Sequence, residues 1–353
     1  MAVNAVQYAQ SNRIVELMRR RVEERDAEWV KDALQQAVLL ELATLPPYLC
    51  GMWSINATSQ NRVLHTLRTI VFDEMSHLGI ACNLLTTIGG TPRLADEELV
   101  PKYPGPLPGG VRPELTVFLG GLTTHSVEMY ASIEEPDHPL PLPAPASHTS
   151  IGAFYTAILD ALSAQPELIT GRRQVVRDME DHGSGNSLVE LKTLDAVKSA
   201  ITVIKEQGEG TSASPENPFP NEAGSGELAH YYAFREILHA HELIEPPLPP
   251  DKWDFPTFAM GVVPTGGWPR TGPTAAPAEV IALLDQVNDT YSEMLRLLEQ
   301  TWKQDDPGQA ADFLDAAVSK MFMLRFPARE LMKRALPGGS DKSYGPEFRY
   351  TSA

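Results

Sequence analysis

The chain has 353 residues, with 46 acidic and 29 basic side chains, which gives a formal net charge of −17. So acidic a protein repels phosphate backbones and anionic headgroups, which argues against nucleic-acid and membrane-surface partners. The two cysteines exclude a disulfide scaffold and a cysteine-based zinc or iron–sulfur site, and they fit a reducing compartment.

The N-terminal segment and the lengths of the apolar runs bear on the cellular compartment of the protein. The first twelve residues show no basic segment followed by an apolar one, as a secretory signal would. Nor does any apolar run reach the roughly 18 residues that a membrane span needs. A composition with 42% hydrophobic and 21% charged residues is globular. We therefore expect a cytoplasmic globular protein.

The spacing of apolar residues predicts helices that are separated by loops rich in proline and glycine. The predicted helices cover residues 26–45, 61–88, 149–162, 188–207, 226–244, 278–303 and 312–334. Alternation typical of a strand occurs only over 115–119. The sequence thus predicts an all-α fold with long crossover loops. We expect residues 1–245 to form a helical bundle. Residues 246–353 would add a proline-rich loop, two C-terminal helices and a tail, packed on the bundle as one structural domain.

Carboxylates interrupt the apolar faces of the first two long helices. Glu41 lies within the first face, and Glu74 and His77 lie one turn apart within the second. A buried carboxylate without a cationic partner is costly, so a bundle keeps one where a cation compensates it. Dinuclear sites in helix bundles use single glutamates together with Glu-x-x-His pairs. This pattern predicts a metal site.

The sequence contains four Glu-x-x-His pairs, which differ in their setting. One of them, Glu135/His138, includes Pro136 and lies at the loop predicted over 136–147, where helical geometry fails. Glu227/His230 and Glu236/His239 share one predicted helix, but their nine-residue offset is about two and a half turns. They therefore lie on opposite faces. The bulkier apolar residues are on the His230 side, so we expect Glu227 and His230 to point inward.

The helix over 188–207 is expected to supply one further glutamate. Glu206 and Glu209 are the two alternatives, and neither falls on the apolar stripe of that helix. Gly208 and Gly210 break the helical period at this point. The spacing therefore leaves both residues open.

Short motifs recur along the chain in a defined order. They are Leu-Glu-Leu-Ala-Thr-Leu-Pro-Pro-Tyr-Leu at 40–49, Asp-Glu-Met-Ser-His at 73–77, Tyr-Pro-Gly-Pro-Leu-Pro at 103–108, Ile-Glu-Glu-Pro at 133–136, Gln-Gly-Glu-Gly at 207–210, His-Tyr-Tyr-Ala-Phe-Arg-Glu-Ile at 230–237 and Gly-Pro-Glu-Phe at 345–348. In these motifs the chain resembles the ferritin-like family of the iminophenyl-pyruvate dimer synthase type, known from violacein biosynthesis, in a standalone form.

The resemblance implies a ferritin-like four-helix bundle with a non-haem metal centre, most simply a di-iron centre. It favours Glu209 over Glu206, while geometry more than the motif supports Glu227. The residues expected at the metal are Glu41, Glu74, His77, Glu209 or Glu206, Glu227 and His230. Glu134 and Tyr48 are expected beside these ligands.

The function expected from these observations is that of an oxidase or oxygenase with two iron ions and O₂ as co-substrate. The resemblance implies a small amino-acid-derived or imine substrate in secondary metabolism. A metal-binding protein without turnover, for storage or scaffolding, is the alternative. Manganese or zinc is the alternative metal, and a redox-inert ion would serve hydrolysis or isomerisation. The sequence leaves the oligomeric state open, a homo-oligomer included.

Overall fold

The computed structural model describes residues 12–136, 150–178, 185–211, 214–219, 227–242, 249 and 252–352. In these ranges it contains nine α-helices and three short 3₁₀ turns, and backbone pairing is limited to isolated bridges. The α-helices are α1 (Arg13–Arg19), α2 (Ala27–Ser54), α3 (Arg62–Thr87), α4 (Thr124–Glu134), α5 (Ile151–Ala164), α6 (Leu194–Glu209), α7 (His230–Glu242), α8 (Ala278–Thr301) and α9 (Pro307–Met332). The predicted all-α fold is confirmed.

Short polar side chains begin the helices that carry the site. Asp26 accepts a hydrogen bond from the backbone nitrogen of Trp29 at the start of α2, and Asn61 accepts one from that of Leu64 at the start of α3. Thr123 caps α4 in the same way. Each cap satisfies a backbone N–H group that has no partner within its helix. The beginnings of these helices are therefore encoded locally.

Helix α2 continues beyond the end predicted at residue 45, through Pro46 and Pro47 to Ser54. A proline lacks the N–H group that would bond to the carbonyl four residues earlier. The carbonyl oxygen of Ala43, which Pro47 leaves without that bond, accepts one from the hydroxyl of Tyr103 at 2.8 Å. A tertiary contact thus compensates for the backbone bond that Pro47 removes, and the helix continues through both prolines.

Other elements differ from the sequence prediction at their ends. Helix α4 was not predicted, and α9 begins five residues earlier than expected, at Pro307. Helices α6 and α7 begin later than expected, at Leu194 and His230. In the segment 115–119, Val117 forms only an isolated bridge with Gly105, so the strand suggested there is absent.

The helices pack in neighbouring pairs around one hydrophobic core. Helix α2 packs against α3, α4 against α7, α5 against α6, and α8 against α9. Helices α2, α3, α4 and α7 carry the side chains that meet at the site described below. In the described part of the chain, none of the helices has the length and apolar character needed to cross a membrane.

The C-terminal segment contacts the bundle, and a buried carboxylate holds its tail in place. Helix α9 contacts α2. In the tail, the buried carboxylate of Glu347 accepts hydrogen bonds from Arg270 at 2.5 Å, Asn288 at 2.8 Å and the backbone of Trp268 at 2.9 Å. Because the carboxylate is compensated and hydrogen-bonded, it fastens the Gly-Pro-Glu-Phe motif to α8 and the preceding loop.

Some sequence predictions fall outside the described residues. They are most of the predicted loop at 136–147, the end of the helix predicted over 226–244, and the boundary proposed between residues 245 and 246. His138 of the loop pair lies there as well.

Candidate metal centre

Helix α3 places a glutamate and a histidine side by side in the protein interior. Glu74 is 2% exposed and His77 is 1% exposed, and both lie on a face that also carries buried apolar residues. Residues three apart in a helix project in nearly the same direction. The spacing predicted from the sequence therefore brings both side chains to one point.

Two groups of three side chains meet at this point. The first consists of Glu41, Glu74 and His77, and the second of Glu74, Glu134 and His230. Within each group, one potential ligand atom per residue lies within 4.8 Å of the others, and all these residues are buried. Glu74 belongs to both groups. Four helices thus contribute to one cluster of three carboxylates and two imidazoles.

One oxygen of Glu74 faces both histidines. Its Oε1 atom lies 3.4 Å from Nδ1 of His77 and 2.9 Å from Nδ1 of His230. The other oxygen, Oε2, accepts a hydrogen bond from the hydroxyl of Thr44 at 2.7 Å. The two imidazole rings are nearly parallel, with ring centres 5.7 Å apart. Thr44 therefore fixes the carboxylate between the two rings.

The outer nitrogen of His77 is held by an amide. Its Nε2 atom lies 2.8 Å from the side-chain oxygen of Gln207, which also accepts from the amide of Asn186 at 2.5 Å. The amide nitrogen of Gln207 donates to the carbonyl of Phe219 at 3.0 Å. Because this network makes the Gln207 oxygen an acceptor, Nε2 of His77 carries the hydrogen. In the neutral imidazole, which is the form that binds a metal, Nδ1 then directs its lone pair toward the centre.

A carboxylate orients His230 in the same way that Gln207 orients His77. Its Nε2 atom lies 3.3 Å from Oδ2 of Asp73, the residue before Glu74 on α3. Its Nδ1 atom is buried and has no partner in hydrogen-bond geometry, although Glu74 Oε1 is 2.9 Å away. A close nitrogen–oxygen approach without donor alignment is what two ligand atoms directed at one cation produce. Both histidines therefore present Nδ1 to the centre.

Phenol groups hold the two remaining carboxylates. Tyr155 on α5 donates to Oε1 of Glu41 at 2.5 Å, and Tyr48 on α2 donates to Oε1 of Glu134 at 2.5 Å. The phenol of Tyr48, which the sequence analysis expected beside the ligands, thus contacts Glu134. Each phenol fixes one oxygen of its partner and leaves the second oxygen for the centre.

The two carboxylates bonded to phenols have raised pKa values. Burial, reinforced by the negative charge of Glu74, raises the pKa of Glu41 to about 7 and that of Glu134 to about 8. Burial disfavours the ionised form because the interior solvates charge poorly. Without a cation, these two groups therefore hold protons at a pH where exposed carboxylates have lost theirs.

The pKa values of the two histidines and of Glu74 are shifted in the directions expected when opposite charges stabilise one another. Burial by itself lowers the pKa of His77, but the contact with Glu74 outweighs it and raises that pKa to about 9. For His230, contacts with Asp73 and Glu74 likewise outweigh burial and raise the pKa to about 10. Burial raises the pKa of Glu74, but both histidines together lower it below its ordinary value. The cluster is thus stabilised by positive charge, which protons or metal ions can supply.

The donor set fits divalent first-row metal ions. Carboxylate oxygens and imidazole nitrogens suit iron, manganese and zinc, whereas soft ions select thiolates. The two cysteines, Cys50 and Cys82, are buried and free, and neither belongs to the clustered groups. The clustered carboxylate and histidine side chains could therefore bind a metal.

The remaining predicted ligands occupy different positions. Glu209 lines a small cavity together with Glu41, Glu74, His77 and Glu134. Its Oε1 atom accepts a hydrogen bond from the backbone nitrogen of Gly152 at 2.7 Å. Glu209 therefore lies beside the centre, although it belongs to neither clustered group.

Glu206 and Glu227 lie elsewhere. Glu206 is partly exposed and does not line the cavity, and burial raises its pKa. Glu227 precedes α7, so the helical spacing expected between it and His230 is absent. Its backbone oxygen accepts a hydrogen bond from Asn217 at 2.8 Å. The structure does not bring either side chain into the clustered groups.

Sequence reasoning missed several residues that orient the ligands. They are Thr44, Asp73, Tyr155, Asn186 and Gln207. A signal existed for Gln207, because it follows the buried Ile204 by three positions and so continues the apolar face of α6 with a polar side chain. The partners of Tyr155 and Asn186 depend on tertiary contacts, which no local spacing reveals.

Comparison with known proteins agrees with this architecture. A crystal structure of a ferritin-like protein from Caulobacter vibrioides superposes with a TM-score of 0.61 at 19% identity, covering 91% of this chain and 97% of that one. The search of curated proteins gave no match. Residues 34–239, more than half of the chain, match the protein family described as Ferritin-like, and this span contains every residue of the two clustered groups. The chain therefore belongs to the Ferritin-like family.

Proposed function

We propose that the centre binds two divalent metal ions and that the protein is a non-haem di-iron oxidase or oxygenase. The observation that carries this proposal is the position of Glu74, which belongs to two groups that each add one histidine and one further glutamate. A carboxylate common to two groups is the arrangement of dinuclear sites in helix bundles. Glu41 and His77 would serve one ion, and Glu134 and His230 the other.

We propose Glu209 as an additional ligand of this centre. It lines the cavity beside the clustered carboxylates, unlike Glu206. Glu227, the other ligand expected from the sequence, precedes α7 and belongs to neither clustered group, so we rank it after Glu209. Two ferrous ions, when bound, would supply the electrons for the reduction of O₂.

The protein itself orients these ligands and excludes water. Thr44 holds Glu74, Gln207 and Asp73 hold the outer nitrogens of the histidines, and the two phenols hold the outer carboxylates. Such partners fix the orientation of metal ligands and tune their basicity. Because the clustered residues are all buried, their charges interact in an environment of low dielectric.

The resemblance to the iminophenyl-pyruvate dimer synthase type supports a small amino-acid-derived or imine substrate in secondary metabolism. A cytoplasmic location fits the composition and the two free cysteines, which are typical of a reducing compartment. We also propose that the chain assembles into a homo-oligomer, for which membership of the Ferritin-like family is the support.

Anaerobic titration of metal-free protein with Fe²⁺ tests the metal proposal. We expect about two equivalents per chain, by analogy with dinuclear helix-bundle sites, and a large loss of binding in Glu74→Ala. Glu236→Ala is the matched control, because Glu236 lies on α7 but is exposed and pairs with Arg62. Binding of about one ion per chain or fewer in the wild type, against the two of a dinuclear site, or full binding by Glu74→Ala, would overturn the proposal.

One observation favours a metal-binding protein without turnover as the second candidate. The cavity beside the centre has a volume of about 20 Å³, room for little more than one water molecule. Oxygen consumption by the iron-loaded protein, measured with and without amino acids and their imines, separates the two functions. Stimulation by a substrate supports the oxidase. Elemental analysis of the purified protein distinguishes iron from manganese and zinc.

A further inference from the structure

A second and much larger cavity opens at the surface between α2, α3 and α9. Its volume is about 360 Å³, within the range of cavities that bind small molecules. Its walls are largely apolar and include Leu49, Trp53, Val71, Phe72 and Phe322. None of the residues of the two clustered groups lines this cavity. The cavity is therefore separate from the candidate metal centre.

Three arginines surround this apolar space. Arg68 comes from α3, and Arg325 and Arg329 come from α9. None of the described residues that line the cavity is acidic. Among the ion pairs between described residues, none involves these three arginines. In a chain with a net charge of −17, a cluster of cations without carboxylate partners is unexpected.

The contacts of the arginines leave their charge uncompensated. Arg329 donates to the carbonyl oxygens of Trp53 and Ile55 and to the side-chain oxygen of Asn56, all of which are neutral acceptors. The guanidinium of Arg68 lies over the ring of Phe72, 5.4 Å from its centre. Burial and the like charge of Arg325 lower the pKa of Arg329. An anion at this rim would relieve the repulsion and form charge-assisted hydrogen bonds.

The combination of walls and rim defines the chemistry of the ligand. Inorganic phosphate would satisfy the arginines but leave the apolar walls in contact with water. A hydrocarbon would fill the walls but leave the cations without a partner. Met52, Met75 and Met321 also line the cavity, and such unbranched, flexible side chains adapt to alkyl chains. An apolar chain that ends in one carboxylate satisfies both the walls and the rim.

We propose that this cavity is a binding site for a medium-chain fatty-acid carboxylate, with the carboxylate at the arginine rim and the alkyl chain against the apolar walls. The site goes beyond the proposed oxidase function and does not depend on a metal. The cavity is nevertheless adjacent to the candidate metal centre. Phe72 and Met75 line the cavity, whereas Asp73 and Glu74, between them in the sequence, face the centre.

Calorimetric titration with decanoate tests the proposal, because its chain and carboxylate match the two halves of the site. Decanol and decyltrimethylammonium serve as neutral and cationic probes of the same chain length, all below their micellar concentrations. We expect saturation at one decanoate per chain. Decanol should bind at least about tenfold more weakly, which is the scale of a lost charge-assisted hydrogen bond. Quenching of the tryptophan fluorescence gives an independent readout if it is lost in Trp53→Phe, since Trp53 is the one of the five tryptophans that lines the cavity.

Substitutions at the rim locate the site. The double variant Arg68→Gln/Arg325→Gln should bind decanoate about tenfold more weakly and decanol as before. The corresponding double lysine variant should retain most of the affinity. Arg20→Gln/Arg172→Gln is the matched control, because it makes the same change in net charge at exposed positions outside the cavity.

Three results would overturn the proposal. They are absence of saturable decanoate binding, equal affinity for the cationic probe, and equal weakening by the rim and control variants. The titrations are run on metal-free and iron-loaded protein alike. Failure of the di-iron proposal would therefore leave this result unaffected, and the reverse also holds.

Discussion

The side-chain oxygen of Gln207 lies 2.8 Å from Nε2 of His77, although the two residues are 130 positions apart in the chain. This contact fixes which nitrogen of His77 carries the hydrogen. In Gln207→Leu we expect metal affinity to fall about 10- to 100-fold, the range found when a partner of a metal-binding histidine is removed. Gln207→Glu keeps an acceptor and should lose less.

Competition between the protein and a chelator for Mn²⁺ or Fe²⁺ measures this effect. The control is Gln174→Leu. Gln174 is a partly buried glutamine, whereas Gln207 is fully buried, and its side chain bonds backbone groups and a threonine away from the centre. Equal affinities in Gln207→Leu and the wild type would contradict the role assigned to Gln207.

A second prediction concerns Gly152, which lies against the carboxylate of Glu209. A Cβ atom at position 152 would approach Oε2 of Glu209 to 2.2 Å, so alanine must displace this carboxylate. If Glu209 is a ligand, Gly152→Ala and Glu209→Gln should both weaken metal binding, by a similar factor. Glu206→Gln should leave it unchanged, because Glu206 does not line the cavity. Iron titrations of the three variants decide between the two glutamates, and a loss confined to Glu206→Gln would reverse the choice.

The phenol of Tyr48 provides a third test, with a matched residue nearby. Tyr48→Phe removes the donor to Glu134 and should lower the free energy of unfolding by about 1–2 kcal/mol, the cost of leaving a buried acceptor without its partner. It should also weaken metal binding. Tyr130→Phe removes a phenol of the same aromatic cluster that bonds the carbonyl of Pro47. We expect this variant to lose stability but to keep its metal affinity.

Chemical denaturation and metal titration of these two phenylalanine variants separate the roles. Equal metal affinities would show that the Tyr48 hydroxyl supports only the fold.

A fourth prediction is that the metal-free protein loses stability as the pH rises. The pKa values of Glu41, Glu134, His77 and His230 are raised to about 7, 8, 9 and 10, so the folded state binds more protons than the unfolded state between about pH 6 and pH 9. Stability therefore falls with pH over this interval. The lowered pKa of Glu74 acts in the opposite sense, but only in acid.

Thermal unfolding in the presence of a chelator, at pH 6 and at pH 9, measures this dependence. We expect a lower Tm at pH 9. The metal-loaded protein should show a smaller change, because metal ions replace the protons in the cluster. A metal-free Tm that rises from pH 6 to pH 9 would contradict the charge assignment.

Sequence reasoning succeeded where the information is local. Glu74 and His77 lie one turn apart on a capped amphipathic helix, so their spacing sufficed to place them together. The comparison of the two faces of α7 also selected a buried histidine, since His230 is 1% exposed while His239 is exposed.

Sequence reasoning failed where distant contacts decide the structure. Helix α4, which carries Glu134, has a weak apolar pattern that includes polar residues such as Ser132 and Glu128, and it was overlooked. Glu227 was expected inside a helix that in fact begins three residues later, at His230. The orienting contacts of Tyr155 and Gln207 join segments far apart in sequence, so spacing within one helix could not predict them.

The hydroxyl of Tyr103 donates a hydrogen bond to the carbonyl of Ala43. In a helix without proline, the backbone amide of residue 47 would donate this bond. The identities of residues 47 and 103 are therefore interdependent. The hydroxyl of Tyr103 contributes most to stability while proline occupies position 47. An alanine at position 47 would supply the missing donor from within the helix. Substitutions at these two sites should consequently show epistasis, each tolerated better in the presence of the other than alone.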